Sequence, residues 1–280
     1  MKNKNIIHQL TSQSPSQMSS YVIESKDGGV IVIDGGTYKD AEYLINYIKN
    51  ISGETKPVIR AWILTHTHND HTGAIIEACK NEKYKDAFIL ENLYYNFPPD
   101  EIIARCDNGE LVTSAEFEAV RSAYGSVTRP LNENDVLDFG EIKFKILYAA
   151  DFKITENFTN NTSTVLKMYA DGQTMLFLGD LGIEGGEILL KNKKDEINCD
   201  FVAMAHHGQQ GVSFEVYKAV APKVCFWDTP LWLWNNDAGG GYNTHIWQTV
   251  VVRGWMEILG VKYHYISKDG TNAVELPFKF

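Results

Sequence analysis

The sequence predicts an α/β fold in which two β-rich halves form one domain. A hairpin pattern opens the first half, and short apolar strands then alternate with helical segments through both halves. With 280 residues, the chain is long enough for one large domain or two small ones. Because the strands of each half need those of the other for burial, we expect a single domain over residues 1–280. The segment 92–134 is then an insertion and not a linker.

In the first half, residues 21–24 and 30–33 are apolar and flank the turn pattern Lys26-Asp27-Gly28-Gly29, which predicts a hairpin. Apolar residues at helical spacing predict a helix over 40–50. Residues 58–64 are β-branched or bulky and predict a buried strand, and residues 74–79 resemble the first turns of a helix. The insertion contains Pro98-Pro99 and is expected to be irregular or helical.

The second half likewise alternates short apolar strands with helical segments. Residues 142–148, 163–169, 174–178, 200–205 and 223–227 predict strands, and residues 185–192 and 213–220 predict helices. His264 alternates with Tyr263 and Tyr265 and is expected to be a strand residue without a chemical role.

Composition excludes several classes of protein. The formal charge of -10 is spread along the chain, which argues against nonspecific nucleic-acid binding. The four cysteines lack the paired spacing of a zinc knuckle or a disulfide framework. The polar N-terminus lacks the apolar core of a secretory signal, and no apolar stretch reaches the roughly 20 residues that span a bilayer. A cytoplasmic protein with a small-molecule partner and no membrane partner is therefore expected.

Metal ligands are crowded where the strand over 58–64 ends. The run His66-Thr67-His68-Asn69-Asp70-His71 holds four strong ligands in six residues, on a predicted strand-to-helix loop. His66 and His68 are two residues apart, so in an extended loop they point to the same side and can share one metal. Asp70 and His71 follow the turn of the chain and can bind that metal or a neighbouring one.

Two later strands end in similar residues. Residues 174–178 lead into Gly179-Asp180, a common turn that also places a carboxylate where it could bridge two cations. Residues 201–205 lead into His206-His207-Gly208. We expect His206 to be a ligand and His207 either to support a ligand from outside or to face the substrate, although the adjacent positions leave the reverse assignment open.

The pattern His66-x-His68-x-Asp70-His71, followed by Gly-Asp and His-His-Gly, resembles the signature of the metallo-β-lactamase-fold hydrolases. This resemblance implies a four-layer αββα sandwich, with metals at one edge where several loops converge. It implies that Asp180 is the bridging ligand. Asp34 matches an aspartate that follows the first strands of the family, which implies a structural role or the orientation of a ligating imidazole; it is equally compatible with a turn before Gly35-Gly36.

The sequence departs from the common family pattern at one ligand, because no histidine lies between His71 and His206. An Asn161-Thr162-Ser163 element precedes the Gly-Asp strand, which resembles the hydrolase domain of DNA-uptake competence proteins. Asn161 is thus a candidate ligand or substrate contact, and a plain turn residue is the alternative. The resemblance implies one metal held by His66, His68, Asp180 and possibly Asn161, and another held by Asp70, His71, Asp180 and His206.

These ligands predict hydrolysis by a water or hydroxide that bridges two divalent metal ions, with zinc expected first and manganese or iron as alternatives. Asp70, His207 and His245 are candidate catalytic residues, and either histidine could position the substrate or protonate the leaving group. The resemblance favours an anionic phosphodiester or other phosphoester substrate. A lactone, thioester or amide hydrolase and a metal-binding sensing module without turnover remain alternatives.

The C-terminal part is rich in tryptophan and tyrosine and contains a glycine-rich loop over 237–243. This loop and the rings could form one wall of a substrate pocket that His245 enters. The alternative is that these aromatic residues fill a core between sheet and helix.

Overall fold

The computed structural model describes residues 4–280, and its strands form two sheets. The first sheet has the order β15-β1-β2-β3-β4-β6-β7, with β5 also beside β4. Its strands, numbered in chain order, are β1 (Asn5–Gln9), β2 (Ser20–Glu24), β3 (Val30–Asp34), β4 (Val58–Ile63), β5 (Ile89–Leu90), β6 (Leu93–Tyr95), β7 (Thr128–Pro130) and β15 (Asn272–Leu276).

The second sheet has the order β14-β13-β12-β11-β10-β9-β8. Its strands are β8 (Val136–Phe139), β9 (Ile142–Tyr148), β10 (Val165–Ala170), β11 (Gln173–Phe177), β12 (Phe201–Ala203), β13 (Val224–Trp227) and β14 (Tyr263–Ile266). The helices are α1 (Ala41–Ser52), α2 (Asn69–Lys80), α3 (Asp100–Cys106), α4 (Leu111–Glu116), α5 (Glu118–Tyr124), α6 (Phe158–Asn161), α7 (Ile183–Lys193), α8 (Phe214–Val220), α9 (Leu231–Trp234) and α10 (Thr249–Ile258).

Three apolar cores show how the layers are stacked. The central core lies between the sheets and joins residues such as Ile33 and Ile63 of the first sheet to Phe177 and Phe226 of the second. A second core packs the other face of the first sheet against α1, α2 and α5. A third packs the second sheet against α7, α8 and α10. The order helix, sheet, sheet, helix confirms the αββα sandwich.

Most predicted elements are present within one to five residues of their expected ends, and the differences concern the site and the sheet edges. Helix α2 already begins at Asn69, so Asp70 and His71 lie in its first turn and not in a loop. The insertion is largely helical, as expected, but its short strands β6 and β7 extend the first sheet. Strands β1 and β15 were not predicted; they pair with each other across almost the whole chain.

The topology brings the loops that carry the candidate ligands to one edge of the sandwich. Strands β3 and β4 run parallel in the first sheet, and β11, β12 and β13 run parallel in the second. The segments that follow their carboxyl ends lie close together. The backbone N–H of Thr164 donates to the carbonyl of Thr65, and that of His206 donates to the carbonyl of Gly179. Within residues 4–280, no helix combines the length and the apolar character needed to cross a bilayer.

Candidate metal centre

The first group of ligands consists of His66, His68 and Asp180, whose ligand atoms lie within 4.8 Å of one another. His66 Nε2 is 2.9 Å from His68 Nδ1 and 3.8 Å from Asp180 Oδ2. The two histidines lie two residues apart in the bend after β4, and their ring centroids are 4.7 Å apart. The three side chains could hold one metal ion.

The second group consists of Asp70, His71 and His207, again with ligand atoms within 4.8 Å. His207 Nε2 lies 3.2 Å from Asp70 Oδ2 and 3.4 Å from His71 Nε2. Asp180 also reaches this group, because its Oδ1 is 3.1 Å from His71 Nε2 and its Oδ2 is 3.3 Å from His207 Nε2. The Asp180 carboxylate therefore contacts imidazoles of both groups.

The donor set fits divalent cations. Asp180 Oδ2 is buried without a hydrogen-bond partner, although imidazole nitrogens of His66, His206 and His207 lie 3.8, 3.9 and 3.3 Å from it. A buried carboxylate oxygen without a hydrogen bond is costly unless a cation compensates it. Imidazole and carboxylate ligands suit zinc, manganese and iron. The residues present therefore fit metal ions at this edge of the sandwich.

Asp34 connects the site to the first sheet. Its Oδ2 accepts a hydrogen bond from His71 Nδ1 at 2.8 Å, and its Oδ1 accepts from the Thr65 backbone N–H at 2.8 Å. The first contact leaves His71 Nε2 to face Asp180, the arrangement by which an outer carboxylate orients a ligating imidazole. Asp34, His206 and His207 all have positive φ, a conformation that non-glycine residues adopt at a cost. The surrounding contacts hold this strained backbone in place.

Buried charges of opposite sign control ionisation in the site. In the metal-free protein, burial opposes the charge on His207, but the carboxylates of Asp180 and Asp70 outweigh it and raise the pKa of His207 to about 10. A metal ion held by His207 would displace this proton. Burial also opposes the charge on Asp70, yet His207 and His71 lower its pKa. His66, in contrast, has its pKa lowered by burial and by the neighbouring His71. Asp70 is therefore kept ionised at neutral pH.

The two adjacent histidines differ in their position relative to the ligand groups. His207 is 1% exposed and belongs to the second ligand group, whereas His206 does not and its side chain is 20% exposed. His206 Nδ1 donates to the carbonyl of Gln210 at 2.9 Å, and its Nε2 stays 3.9 Å from Asp180. The left-handed backbone at both residues turns the second ring, and not the first, toward Asp70. The geometry thus favours His207 over His206 as the ligand, in place of the order expected from the sequence.

Asn161 is also placed differently from the ligand role considered for it. Its Oδ1 accepts hydrogen bonds from the backbone N–H groups of Gly182 and Gly185, and its Nδ2 donates to Glu156 and Glu184. The amide is therefore fully used in capping the start of α7. Ser163 Oγ, two residues on, accepts from the backbone N–H of Asp180 at 2.9 Å. Through these hydrogen bonds the Asn161-Thr162-Ser163 element holds the loop that carries Asp180.

We expect Asn161→Ala to lower the free energy of unfolding by about 1–3 kcal/mol, because it leaves the buried N–H groups of Gly182 and Gly185 without an acceptor. Chemical denaturation monitored by circular dichroism measures this loss. Metal content at saturating metal should stay unchanged. A variant with wild-type stability but reduced metal content would instead restore Asn161 as a ligand.

His245 belongs to neither ligand group. Its ring stacks on Trp247 with centroids 3.8 Å apart, and its backbone N–H donates to the carbonyl of Asn236. The expected catalytic role of His245 therefore has no support in the geometry. The C-terminal aromatic residues were expected either to fill a core or to line a pocket, and both occur. Trp227 and Trp255 belong to the core behind the second sheet, whereas Trp247 lines a cavity beside His206.

Sequence reasoning missed polar residues that surround the site. Gln17 donates from Nε2 to Asp70 Oδ2 at 3.1 Å. Asp228, which follows β13, is buried and accepts hydrogen bonds from Gln9 Nε2 and Tyr21 Oη, and burial raises the pKa of Asp228 to about 6. Asp228 and His207 line the same small cavity. The position of Asp228 directly after a buried strand was the one signal in the sequence that could have indicated it.

Glu110 approaches His68 from the insertion. Its Oε1 lies 3.8 Å from His68 Nε2, and its Oε2 is buried without a hydrogen-bond partner. His68 Nδ1 faces His66, so Glu110 lies on the opposite side of the His68 ring from the candidate metal position. At 3.8 Å the carboxylate makes no hydrogen bond to the ring, and its negative charge is what would support His68 as a ligand.

Replacement of Glu110 by glutamine should weaken metal binding at the His66/His68 group by about 10- to 100-fold. The amide keeps the shape of the side chain but removes the charge that supports a ligating imidazole. Competition titration with a chromophoric chelator measures the affinity of each site. Glu116→Gln, a change at a salt-bridged glutamate in the same insertion, is the matched control and should leave both affinities unchanged. Equal affinities in Glu110→Gln and the wild type would contradict the proposed support of His68 by the charge of Glu110.

The family model described as the metallo-beta-lactamase superfamily matches residues 14–223, which include all the candidate ligands. The chain belongs to the metallo-beta-lactamase superfamily. Members of this superfamily are typically metal-dependent hydrolases, and the chain is assigned to that class of enzyme. The resemblance drawn from the sequence motifs is thereby confirmed.

A curated protein matches part of the chain. ComE operon protein 3 of Bacillus subtilis (strain 168) is 27% identical over 165 residues, which cover 59% of this chain and 19% of the relative. The chain thus spans about a fifth of the length of that curated relative.

Two solved structures share the metallo-beta-lactamase fold over nearly the whole chain. YhfI of Bacillus subtilis has a TM-score of 0.54 at 13% identity, covering 97% of this chain and 99% of that one. CmlA, a diiron beta-hydroxylase of Streptomyces venezuelae, has a TM-score of 0.60 at 11% identity, covering 99% of this chain and 55% of that one. At these identities the likeness shows the fold alone.

Proposed function

We propose that the protein hydrolyses a phosphodiester or other phosphoester of a small, anionic molecule, using two divalent metal ions. The observation that carries this proposal is the position of Asp180 between the two ligand groups. Its Oδ1 is 3.1 Å from His71 Nε2 and its Oδ2 is 3.8 Å from His66 Nε2. A carboxylate in this place is suited to bridge two cations, with zinc as the first choice and manganese or iron as alternatives.

Two bound cations would acidify a water toward a pKa of about 7 and neutralise charge that develops on a phosphoryl or carbonyl oxygen. The chain supplies the groups around them. Ionised Asp70 is positioned to accept a hydrogen bond from the attacking water. His206 takes the substrate-facing role, because Gln210 occupies its Nδ1 and leaves Nε2 available to contact the substrate. Asp34 orients the His71 ring through a hydrogen bond, and the charge of Glu110 supports His68.

The choice of a phosphoester rests on similarity. ComE operon protein 3 matches over 165 residues, in agreement with the motif resemblance to the hydrolase domain of DNA-uptake competence proteins. Lactone, thioester and amide hydrolysis use the same arrangement of metals and nucleophile. A metal-binding sensing module would also retain the ligands.

A substrate panel with the metal-loaded protein separates these possibilities. It should include bis(p-nitrophenyl) phosphate, p-nitrophenyl acetate, acetylthiocholine, a homoserine lactone and a chromogenic amide. We expect the highest kcat/KM for the phosphodiester and loss of that activity after chelation. Faster turnover of a carbonyl substrate would support the first alternative. Filled metal sites without turnover of any substrate would support the sensing module.

A further inference from the structure

A cavity of about 310 Å³ opens beside the metal centre. His206 lies at the boundary between the two, with Nε2 3.9 Å from Asp180 Oδ2 and with its side chain in the lining of the cavity. A molecule whose reacting group lies at the metals can therefore extend its remaining part into this cavity.

One wall of the cavity is apolar and aromatic. It is formed by Trp247 together with Ile246, which is 80% exposed, and Ile183, which is 37% exposed. Trp247 packs against the rings of His245 and Trp232, with centroids 3.8 and 4.8 Å away. Its carbonyl also accepts a hydrogen bond from the Gln210 backbone N–H at 2.8 Å. The wall is thus a fixed aromatic surface on which a planar group can pack at little entropic cost.

The polar side of the cavity is nearly uncharged. Gln209 and Gln210 contribute amides, which bind neutral hydrogen-bonding groups. Among the described lining residues, Glu184 alone carries a full charge, and no lysine or arginine is present. Glu184 is fixed by a hydrogen bond from Asn161 Nδ2 at 2.9 Å. An acidic residue without basic neighbours disfavours a second anionic group here.

We propose that this cavity binds an uncharged, ring-bearing organic group of the substrate, while the anionic reacting group faces the metals. This inference rests on the proposed function and narrows it to small phosphoesters that carry a neutral, planar group. A polynucleotide is a poor fit, because its next phosphates need a basic surface along the strand. The cavity offers one acidic side chain in that place.

The binding test uses metal-loaded protein and stable phosphonates, so that it does not depend on turnover. Isothermal titration compares phenylphosphonate with methylphosphonate, which share the anionic group and differ in the ring. We expect the wild type to bind phenylphosphonate about tenfold or more tightly than methylphosphonate. Trp247→Ala should remove this difference and leave methylphosphonate binding unchanged. Trp247→Phe, which retains a ring, should keep most of it and guards against misfolding of the alanine variant.

A matched pair of exposed isoleucines supplies the control. Ile246→Ala should weaken phenylphosphonate binding several-fold, whereas Ile258→Ala, at a 74% exposed position on α10 outside the cavity lining, should not. The charge is tested with 4-carboxyphenylphosphonate, which should bind more weakly than phenylphosphonate. Glu184→Gln should reduce this difference in affinity, because it removes the repulsion between the Glu184 carboxylate and the ligand carboxylate. The glutamine still offers an acceptor for Asn161.

Equal affinity of the wild type for phenylphosphonate and methylphosphonate would overturn the inference, as would tighter binding of the carboxylated ring or of a thymidine dinucleotide. These outcomes are separable from failure of the proposed function. Ring-dependent binding without hydrolysis of any phenyl phosphoester would refute the hydrolase proposal and leave the cavity assignment intact. Hydrolysis of phosphoesters without any preference for a ring would refute the cavity assignment and leave the hydrolase proposal intact.

Discussion

Asp180→Asn is expected to remove metal-dependent hydrolysis almost completely, by on the order of 10³-fold or more in kcat/KM. Asp180 contacts imidazoles of both ligand groups, and its buried Oδ2 has no hydrogen-bond partner that could replace a cation. The amide retains the size of the side chain but lacks the negative charge that would bridge two cations. Elemental analysis of the purified variant should show fewer than half the metal ions per chain found in the wild type.

The control for this change is Asp200→Asn. Asp200 immediately precedes β12, at the opposite end of the strand from the histidines, and its carboxylate accepts from Thr174 and Lys223. This variant should keep wild-type metal content and activity. If Asp180→Asn retains both metals and turnover, Asp180 is not the bridging ligand and the binuclear arrangement is wrong.

His207→Ala and His206→Ala should have different effects on metal content. His207 lies within 3.4 Å of Asp70, His71 and Asp180, so its removal should release about one metal ion per chain and lower kcat/KM by about 10²- to 10³-fold. His206 is farther from these ligands and faces the cavity. Its removal should leave metal content unchanged and affect only substrate-dependent parameters.

His264→Ala is a suitable comparison, because His264 lies on β14 and accepts a hydrogen bond from Trp227 Nε1 away from both ligand groups. It should retain both metals and full activity. Loss of a metal in His206→Ala but not in His207→Ala would restore the assignment expected from the sequence and contradict the geometry described above.

The sequence was sufficient for much of the fold and for the main ligands because both depend on local patterns. Turn residues between apolar runs indicated the β2–β3 hairpin, and helical spacing indicated α1. The short spacing of His66, His68, Asp70 and His71 requires these side chains to be neighbours in almost any conformation. The family resemblance then added Asp180 and the αββα arrangement, which spacing alone could not supply.

What the sequence could not decide depends on backbone direction and on distant partners. His206 and His207 follow the same strand, and only their left-handed conformation determines which ring turns toward Asp70. Asn161 has the chemistry of a ligand, but its amide is used by Gly182 and Gly185. Strands β1 and β15 pair across almost the whole chain without a turn signal between them.

Glu110 was missed for a related reason. It lies in the insertion, 42 positions after His68, and no motif links the two residues. Its proximity to His68 follows from the way the helices of the insertion pack against the first sheet. Such contacts become visible only when the fold is known.

The most direct test of the binuclear site is an anomalous difference map from a crystal of the metal-loaded protein. We predict two peaks about 3.5–4 Å apart. One should lie within bonding distance of His66, His68 and Asp180, and the other of Asp70, His71, His207 and Asp180. A single peak, or peaks bound by other residues, would contradict the account.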